Sequence, residues 1–127
     1  EVRRRPLADL TLMSSKKEDD KISLINYLKR RSGVTAVWGA GHQALSVLSM
    51  IDAQNYVEFI VDSAPFKQNK LCPGTGIPVY GPDYLLENIP RTLIIMAAAY
   101  SLEIVKFVQK KYPSIEEVRI FDQNGLH

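Results

Sequence analysis

Apolar and polar positions alternate along this chain in two rhythms, and the switches between them mark out its elements. Val34-Thr35-Ala36-Val37-Trp38 is a short apolar run, β-branched enough for a buried strand. It leads directly into Gly39-Ala40-Gly41-His42-Gln43-Ala44. Over residues 44–50 the apolar side chains fall at helical spacing, so the glycines stand at a strand-to-helix turn. A second apolar run, Val57-Glu58-Phe59-Ile60-Val61, closes the unit and ends on Asp62. Upstream, Ile22, Ile25 and Leu28, with Leu24 beside them, predict an amphipathic helix over residues 21–31. Asp19 or Asp20 can cap its start, Lys29-Arg30-Arg31 suit its C-terminal dipole, and Gly33 ends it.

Downstream, residues 63–76 show no periodicity and are punctuated by Pro65, Pro73, Gly74 and Gly76, which predicts a long loop. Ile77-Pro78-Val79-Tyr80 reads as a short edge strand, since Pro78 has no N–H to donate. Gly81-Pro82 opens a helix over residues 83–88, with Pro82 at a tolerated first-turn position, and Pro90 breaks it. Residues 92–98 are a continuous apolar run of the kind found in a central parallel strand covered on both faces. Ser101 can cap a helix reaching Lys111, with Ile104, Val105, Phe107 and Val108 turned inward; residues 117–121 make a last strand. Strands alternating with helices predict right-handed crossovers and a parallel sheet. The fold class expected is α/β, a small Rossmann-like three-layer fold with a five-stranded parallel sheet in the order 3-2-1-4-5. That order places the switch point between the first and fourth strands, and brings residues 39–43 close to Ala98-Ala99-Tyr100-Ser101.

Residues 1–20 differ from the rest. Arg3-Arg4-Arg5 precedes Pro6, and Ser14-Ser15-Lys16-Lys17-Glu18-Asp19-Asp20 is polar and of mixed charge, so this stretch reads as a linker or docking arm ahead of a Rossmann-like domain over residues 21–127. The triple arginine reads as a solvated basic patch, with a phosphate clamp as the alternative. A chain that opens in such a segment without an initiator Met is expected to be the C-terminal domain of a longer protein. At 127 residues with 46% hydrophobic content, one domain with a substantial core is expected. A formal net charge of +2 gives no basis for a nucleic-acid or membrane surface, and no run approaches the length of a membrane span. The single cysteine, Cys72, has no internal disulfide partner, which fits a reducing, cytoplasmic setting and offers no metal-binding cluster.

The chemistry concentrates at the glycine turn. Gly39-Ala40-Gly41-His42-Gln43-Ala44 matches G-x-G-x-x-[G/A], with a strand before it, a helix after it, and Asp62 at 21 residues beyond Gly41, where a dinucleotide fold places its ribose-binding acid. Gly39 can take a backbone conformation closed to other residues, and Gly41 allows close approach of a ligand to the main chain. The first N–H groups of the following helix are unpaired and carry partial positive charge, which suits a phosphate. The competing reading is a tight βα turn with nothing bound. His42, at the helix start, reads as a hydrogen-bond donor rather than a proton-transfer residue, and no catalytic residue is assigned. The loop after Asp62 leaves the C-terminal end of a strand, where open α/β sheets bind ligands, so Lys67 and Lys70 read as diphosphate contacts acting as point charges.

Gly39-Ala40-Gly41-His42, then residues 61–70 (VDSAPFKQNK), then Pro73-Gly74-Thr75-Gly76-Ile77-Pro78-Val79 together resemble the C-terminal domain of sugar C-methyltransferases. The resemblance covers residues 32–103, and Tyr100-Ser101-Leu102-Glu103-Ile104 occupies the place of the family's short aromatic-plus-acid motif. Asn69 stands where the family has Gly, Ser63-Ala64 replaces a more polar pair, and Gln43 replaces a small residue. The resemblance implies a parent enzyme that uses S-adenosylmethionine to methylate a carbon of a sugar carried on a nucleoside diphosphate. It implies that this domain contributes to nucleotide-sugar binding through Gly39, Gly41, His42, Gln43, Asp62, Lys67, Lys70, Tyr100 and Glu103. In that family the cofactor site, the catalytic base and the zinc-binding cysteines belong to preceding domains, so the resemblance implies no cofactor here and a domain that is inactive alone. The strand–glycine turn–helix start also resembles the N-terminal domain of sugar O- and N-acyltransferases. A third reading is a stand-alone NAD-binding module, a dehydrogenase or redox sensor, which Asp62 followed by the small Ser63 permits. A fourth is a domain that has lost its ligand and only braces its neighbour.

Overall fold

The computed structural model describes the backbone of residues 4–127 and the side chains of residues 16–127. Five parallel strands carry the fold: β1 (Thr35–Trp38), β2 (Phe59–Val61), β4 (Pro78–Tyr80), β5 (Thr92–Ile95) and β6 (Glu117–Asp122). They lie in the order β4-β2-β1-β5-β6, the 3-2-1-4-5 arrangement that the alternation predicted. Two short antiparallel strands extend the edges, β3 (Lys70–Leu71) against β4 and β7 (Gly125–Leu126) against β6, so the whole sheet is mixed and has seven strands. Strands this short carry no hydrophobic period, so both stand where a loop or turn is expected from the sequence.

Alternate residues of the central strands point to opposite faces, which gives two cores. One face joins Val37, Ile60, Val79 and Ile94 to Leu24, Tyr27 and Leu28 of α1 (Arg4–Arg30) and to Ala44 and Leu48 of α2 (His42–Met50). The other joins Ala36, Trp38, Phe59, Val61, Leu93, Ile95 and Ile120 to Leu85, in the 3-10 turn Pro82–Leu86, and to Val108 of α3 (Ser101–Lys111). The expected helix over 83–88 is that 3-10 turn. Phe107 was expected to point inward but is part-exposed, and its ring meets the edge of Trp38 at 6.1 Å.

The helix α1 differs most from expectation. It begins at Arg4 rather than near residue 21, so the polar stretch is helical and neither Asp19 nor Asp20 caps a helix start. No Gly or Pro interrupts the chain from Leu7 to Ser32, and strong helix formers fill it, so propensity overrides polarity. Lys16–Asp20 (3.8 Å) and Glu18–Lys21 (3.5 Å) add one-turn ion pairs, and Lys16 Nζ donates to Gln123 O at 3.1 Å. The buried face is Leu24, Tyr27 and Leu28; Ile22, expected among the buried residues, is 53% exposed. The triple-arginine patch lies outside the described side chains.

One carboxylate fastens α1 to the far edge of the sheet. Tyr27 Oη donates to Glu117 Oε2, Arg31 Nη1 lies 3.0 Å from the same oxygen, and the guanidinium groups of Arg31 and Arg119 sit 4.9 and 5.1 Å from the Tyr27 ring centre. Tyr27→Phe is expected to lower unfolding free energy by about 1–2 kcal/mol, the value of a charge-assisted bond discounted for Glu117's partial exposure. A denaturant titration should show a lower midpoint with an unchanged slope.

Candidate functional site

The glycine turn joins β1 to α2 between the ends of β2 and β5. Gly39 N–H donates to Val61 O at 2.9 Å, and Met96 N–H donates to Trp38 O at 2.8 Å, so the main chain is fastened on both sides. Gly39 has φ +125°, and a Cβ there would lie 2.3 Å from Met96 O. This glycine is required by the fold itself. Gly41 is different: its φ is −73°, ψ is 169°, and a Cβ would meet nothing within 4 Å. No backbone strain and no protein neighbour explains a glycine at this position. It opens α2 as the N-cap residue with no side-chain cap, leaving the first-turn N–H groups of His42 and Gln43 without intrahelical partners. Both of their side chains are exposed.

Asp62, at the end of β2, turns back onto this turn. Its Oδ2 accepts the N–H of Ala40 at 2.7 Å and its Oδ1 accepts the N–H of Ala64 at 2.8 Å. The 3-10 turn Pro65–Lys67 follows, and Lys67 Nζ lies 4.0 Å from Asp62 Oδ2. Glycine turn, acid and lysine are thus one cluster, at the carboxyl ends of β1 and β2. Gln68 holds the exit of the strand by donating Nε2–H to Asp62 O at 2.8 Å.

The remainder of the expected ligand-facing loop goes elsewhere. After Asn69, whose φ of +61° suits the Gly or Asn that such a position favours, β3 runs against the parallel strands. It carries the chain to the amino ends of the strands, where Gly74 packs against Ser49 near the C-terminus of α2. Lys70 pairs with Val79 on this outer edge, three strand spacings or about 14 Å from β1. The structure therefore brings Gly39, Gly41, His42, Gln43, Asp62 and Lys67 together and leaves Lys70 apart. Within the turn of this hairpin, burial pushes the Cys72 thiol up, against a smaller lowering by its hydrogen bond to Thr75. With 4% exposure, Cys72 is expected to resist thiol reagents until the domain unfolds, which a timed labelling experiment with and without denaturant checks.

Across the switch point, β5 ends in the 3-10 turn Ala98–Tyr100, with Ala98 at φ +50°. Ser101 was expected to cap α3, but it is the first residue of that helix, and its buried hydroxyl accepts Ala97 N–H at 3.2 Å instead. It holds the left-handed turn in place. Tyr100 projects with 67% exposure, and Glu103 stands in the first turn of α3, where its charge also favours the helix dipole. The residue that sequence reasoning passed over is Phe66, 71% exposed with Lys67 Nζ 5.6 Å from its ring centre. An aromatic between Pro65 and Lys67, in a segment with no core period, was the available signal.

A shallow depression of about 400 Å³, lined by Val34, Pro90, Arg91 and Glu116 among others, opens at the amino ends of the strands, away from this cluster. Its arginine is already bound to Glu116 (2.8 Å) and Ser32 (2.7 Å). Among the described residues no group of His, Cys, Asp or Glu is placed to hold a metal ion, and no helix is long and apolar enough to cross a membrane.

The chain belongs to the C-methyltransferase C-terminal domain family, whose model matches residues 6–115. It is 28% identical over 74 residues to the C-methyltransferase NovU of Streptomyces niveus, a match spanning 58% of this chain and 15% of that protein's length. Its fold is similar to that of UDP-D-quinovosamine 4-dehydrogenase from Vibrio fischeri, with a TM-score of 0.58 at 16% identity, covering 76% of this chain and 93% of the other. The latter likeness concerns the fold alone, and it agrees with the Rossmann-like arrangement of the sheet.

Proposed function

We propose, with membership of the C-methyltransferase C-terminal domain family as the premise, that this domain binds the diphosphate of a nucleotide-linked sugar for a preceding S-adenosylmethionine-dependent methyltransferase domain. The helical stretch over residues 4–20 is, on this reading, the arm that leads from that domain. The observation that carries the proposal is Gly41, a glycine with ordinary backbone angles and open space where a side chain would stand, at the start of α2. A phosphate there would meet the N–H groups of His42 and Gln43, with Lys67 beside the turn. Tyr100 and Phe66, both exposed at the carboxyl ends of the strands, offer faces for a base or sugar ring.

Charge argues for this ligand over the cofactor. S-adenosylmethionine offers a helix N-terminus and a lysine one carboxylate, offset by its ammonium and sulfonium cations, whereas a nucleotide sugar offers the two negative charges of its diphosphate. The turn also differs from an NAD site: each oxygen of Asp62 already accepts one backbone N–H, so the acid is turned toward the protein and offers a ribose diol only its remaining lone pairs. Calorimetric titration of the chain with a UDP-sugar, S-adenosylmethionine and NAD is expected to rank the nucleotide sugar first; either of the others binding more tightly sinks the proposal. Lys67→Ala should weaken nucleotide-sugar binding several-fold. Its exposed charge is worth about 1 kcal/mol or less, so the loss should shrink with added salt and thermal stability should not move. Unchanged affinity at low ionic strength would remove Lys67 from the site.

A further inference from the structure

The acid that follows β2 is hydrogen-bonded within the protein through both of its oxygens. Asp62 Oδ2 accepts Ala40 N–H at 2.7 Å, Oδ1 accepts Ala64 N–H at 2.8 Å, and Lys67 Nζ stands 4.0 Å from Oδ2. The Asp62 side chain is 14% exposed and that of Lys67 31%, so the carboxylate is the more enclosed partner and the ammonium the more accessible one. A backbone N–H in a glycine turn and a nearby ammonium are the donors that an incoming phosphate oxygen seeks. Here a carboxylate of the protein already accepts that N–H and lies 4.0 Å from the ammonium.

We propose that Asp62 is a resident counter-anion of the glycine turn, which a diphosphate must displace from Ala40 N–H on binding. This rests on the reading of the turn as a diphosphate site. In that exchange Oδ1 stays on Ala64 while Oδ2 gives up Ala40, a residue only 4% exposed, and Lys67 swings from the carboxylate to the ligand. Such a gate keeps the turn's N–H satisfied when no ligand is bound, where an orphaned donor would cost stability. It also makes binding an exchange of anions, so affinity is set by how much better a diphosphate serves Ala40 and Lys67 than one carboxylate does. A ribose-binding acid would act in the opposite sense, adding affinity for nucleosides and none for inorganic anions.

The test titrates the 127-residue chain, wild type and Asp62→Asn, with inorganic pyrophosphate and with UDP at about 10 mM and about 200 mM salt, either side of strong screening. Asp62→Asn should bind both probes several-fold more tightly at low salt, with the gain fading at high salt and absent when Lys67→Ala is added. A looser fold does not produce a gain in affinity, so a merely structural Asp62 leaves this readout unmoved or lowers it. Should Asp62→Asn not fold, the wild type still decides: pyrophosphate should shift the Ala40 amide resonance and leave that of Ala64 in place. If wild type binds pyrophosphate and Asp62→Asn binds it equally or more weakly, the gate is refuted and the diphosphate site stands. Weaker UDP with unchanged pyrophosphate makes Asp62 a ribose ligand, which also refutes it. An Ala40 resonance that stays put during saturation does the same. Binding of neither probe by either protein overturns both the gate and the site.

Discussion

Gly39→Ala is expected to lower the stability of the domain by about 4 kcal/mol or more, which removes most of the margin of a domain near the lower end of the usual 5–15 kcal/mol. Two independent penalties meet at this residue. Its φ of +125° is open to glycine and strained for any residue with a Cβ. The added methyl would lie 2.3 Å from Met96 O and 2.9 Å from Met96 C, and both are backbone atoms just beyond the end of β5, where no rotamer change relieves the contact. To make room, β5 must draw away from β1. Those two strands are paired from Thr35–Thr92 to Trp38–Ile95 and carry fully buried residues on both faces, so the shift reaches both cores. In a thermal melt the loss corresponds to a fall on the order of 15 °C for a domain of this size. A fall of only a few degrees would mean that the β1–β5 seam yields more readily than its packing implies.

How far the sequence exposed this architecture follows from where signal was dense. The β1 run, the glycine turn and the β5 run each have several apolar or special residues in a row, and the strand order and the switch point came from them. The features it concealed depend on one or two residues apiece. β3 and β7 are two-residue strands, shorter than any period, and they exist because the chain turns back on a neighbouring strand. The stretch over residues 63–76 looked like one ligand-facing loop because turn residues fill it; its left-handed Asn69 and the β3–β4 hairpin split it, keeping Lys67 near the turn and taking Lys70 away. The N-terminal extension of α1 was masked by composition, since a helix surface and a linker share the same polar residues and only the lack of Gly and Pro separates them. For the candidate site, the positions of Gly41 and Asp62 were legible. That Asp62 serves the turn itself was not, because hydrogen bonding to the Ala40 and Ala64 N–H groups leaves no mark on residue type or spacing.

Gly41→Val is expected to abolish nucleotide-sugar binding while moving the melting temperature by only a few degrees. The backbone at this position, φ −73° and ψ 169°, suits a β-branched residue, and the space above it holds no protein atom within 4 Å. The sole structural penalty is at the helix start, where valine is a poorer N-cap than glycine by about 1 kcal/mol or less. The open space over Gly41 is also the approach to the N–H groups of His42 and Gln43, and an isopropyl group there holds a phosphate beyond hydrogen-bonding distance. Each N–H bond to a charged oxygen is worth about 1.5–3 kcal/mol, so losing two of them removes at least a hundredfold in affinity. Gly41→Ser separates the two effects further: its hydroxyl can cap α2 and raise the melting temperature, while its bulk still crowds the phosphate. Measured side by side with Gly39→Ala, the pair gives a direct reading of the turn, with one glycine answering in stability and the other in binding. Retained nucleotide-sugar affinity in Gly41→Val would leave that open space without a role in binding and return the turn to a purely structural one.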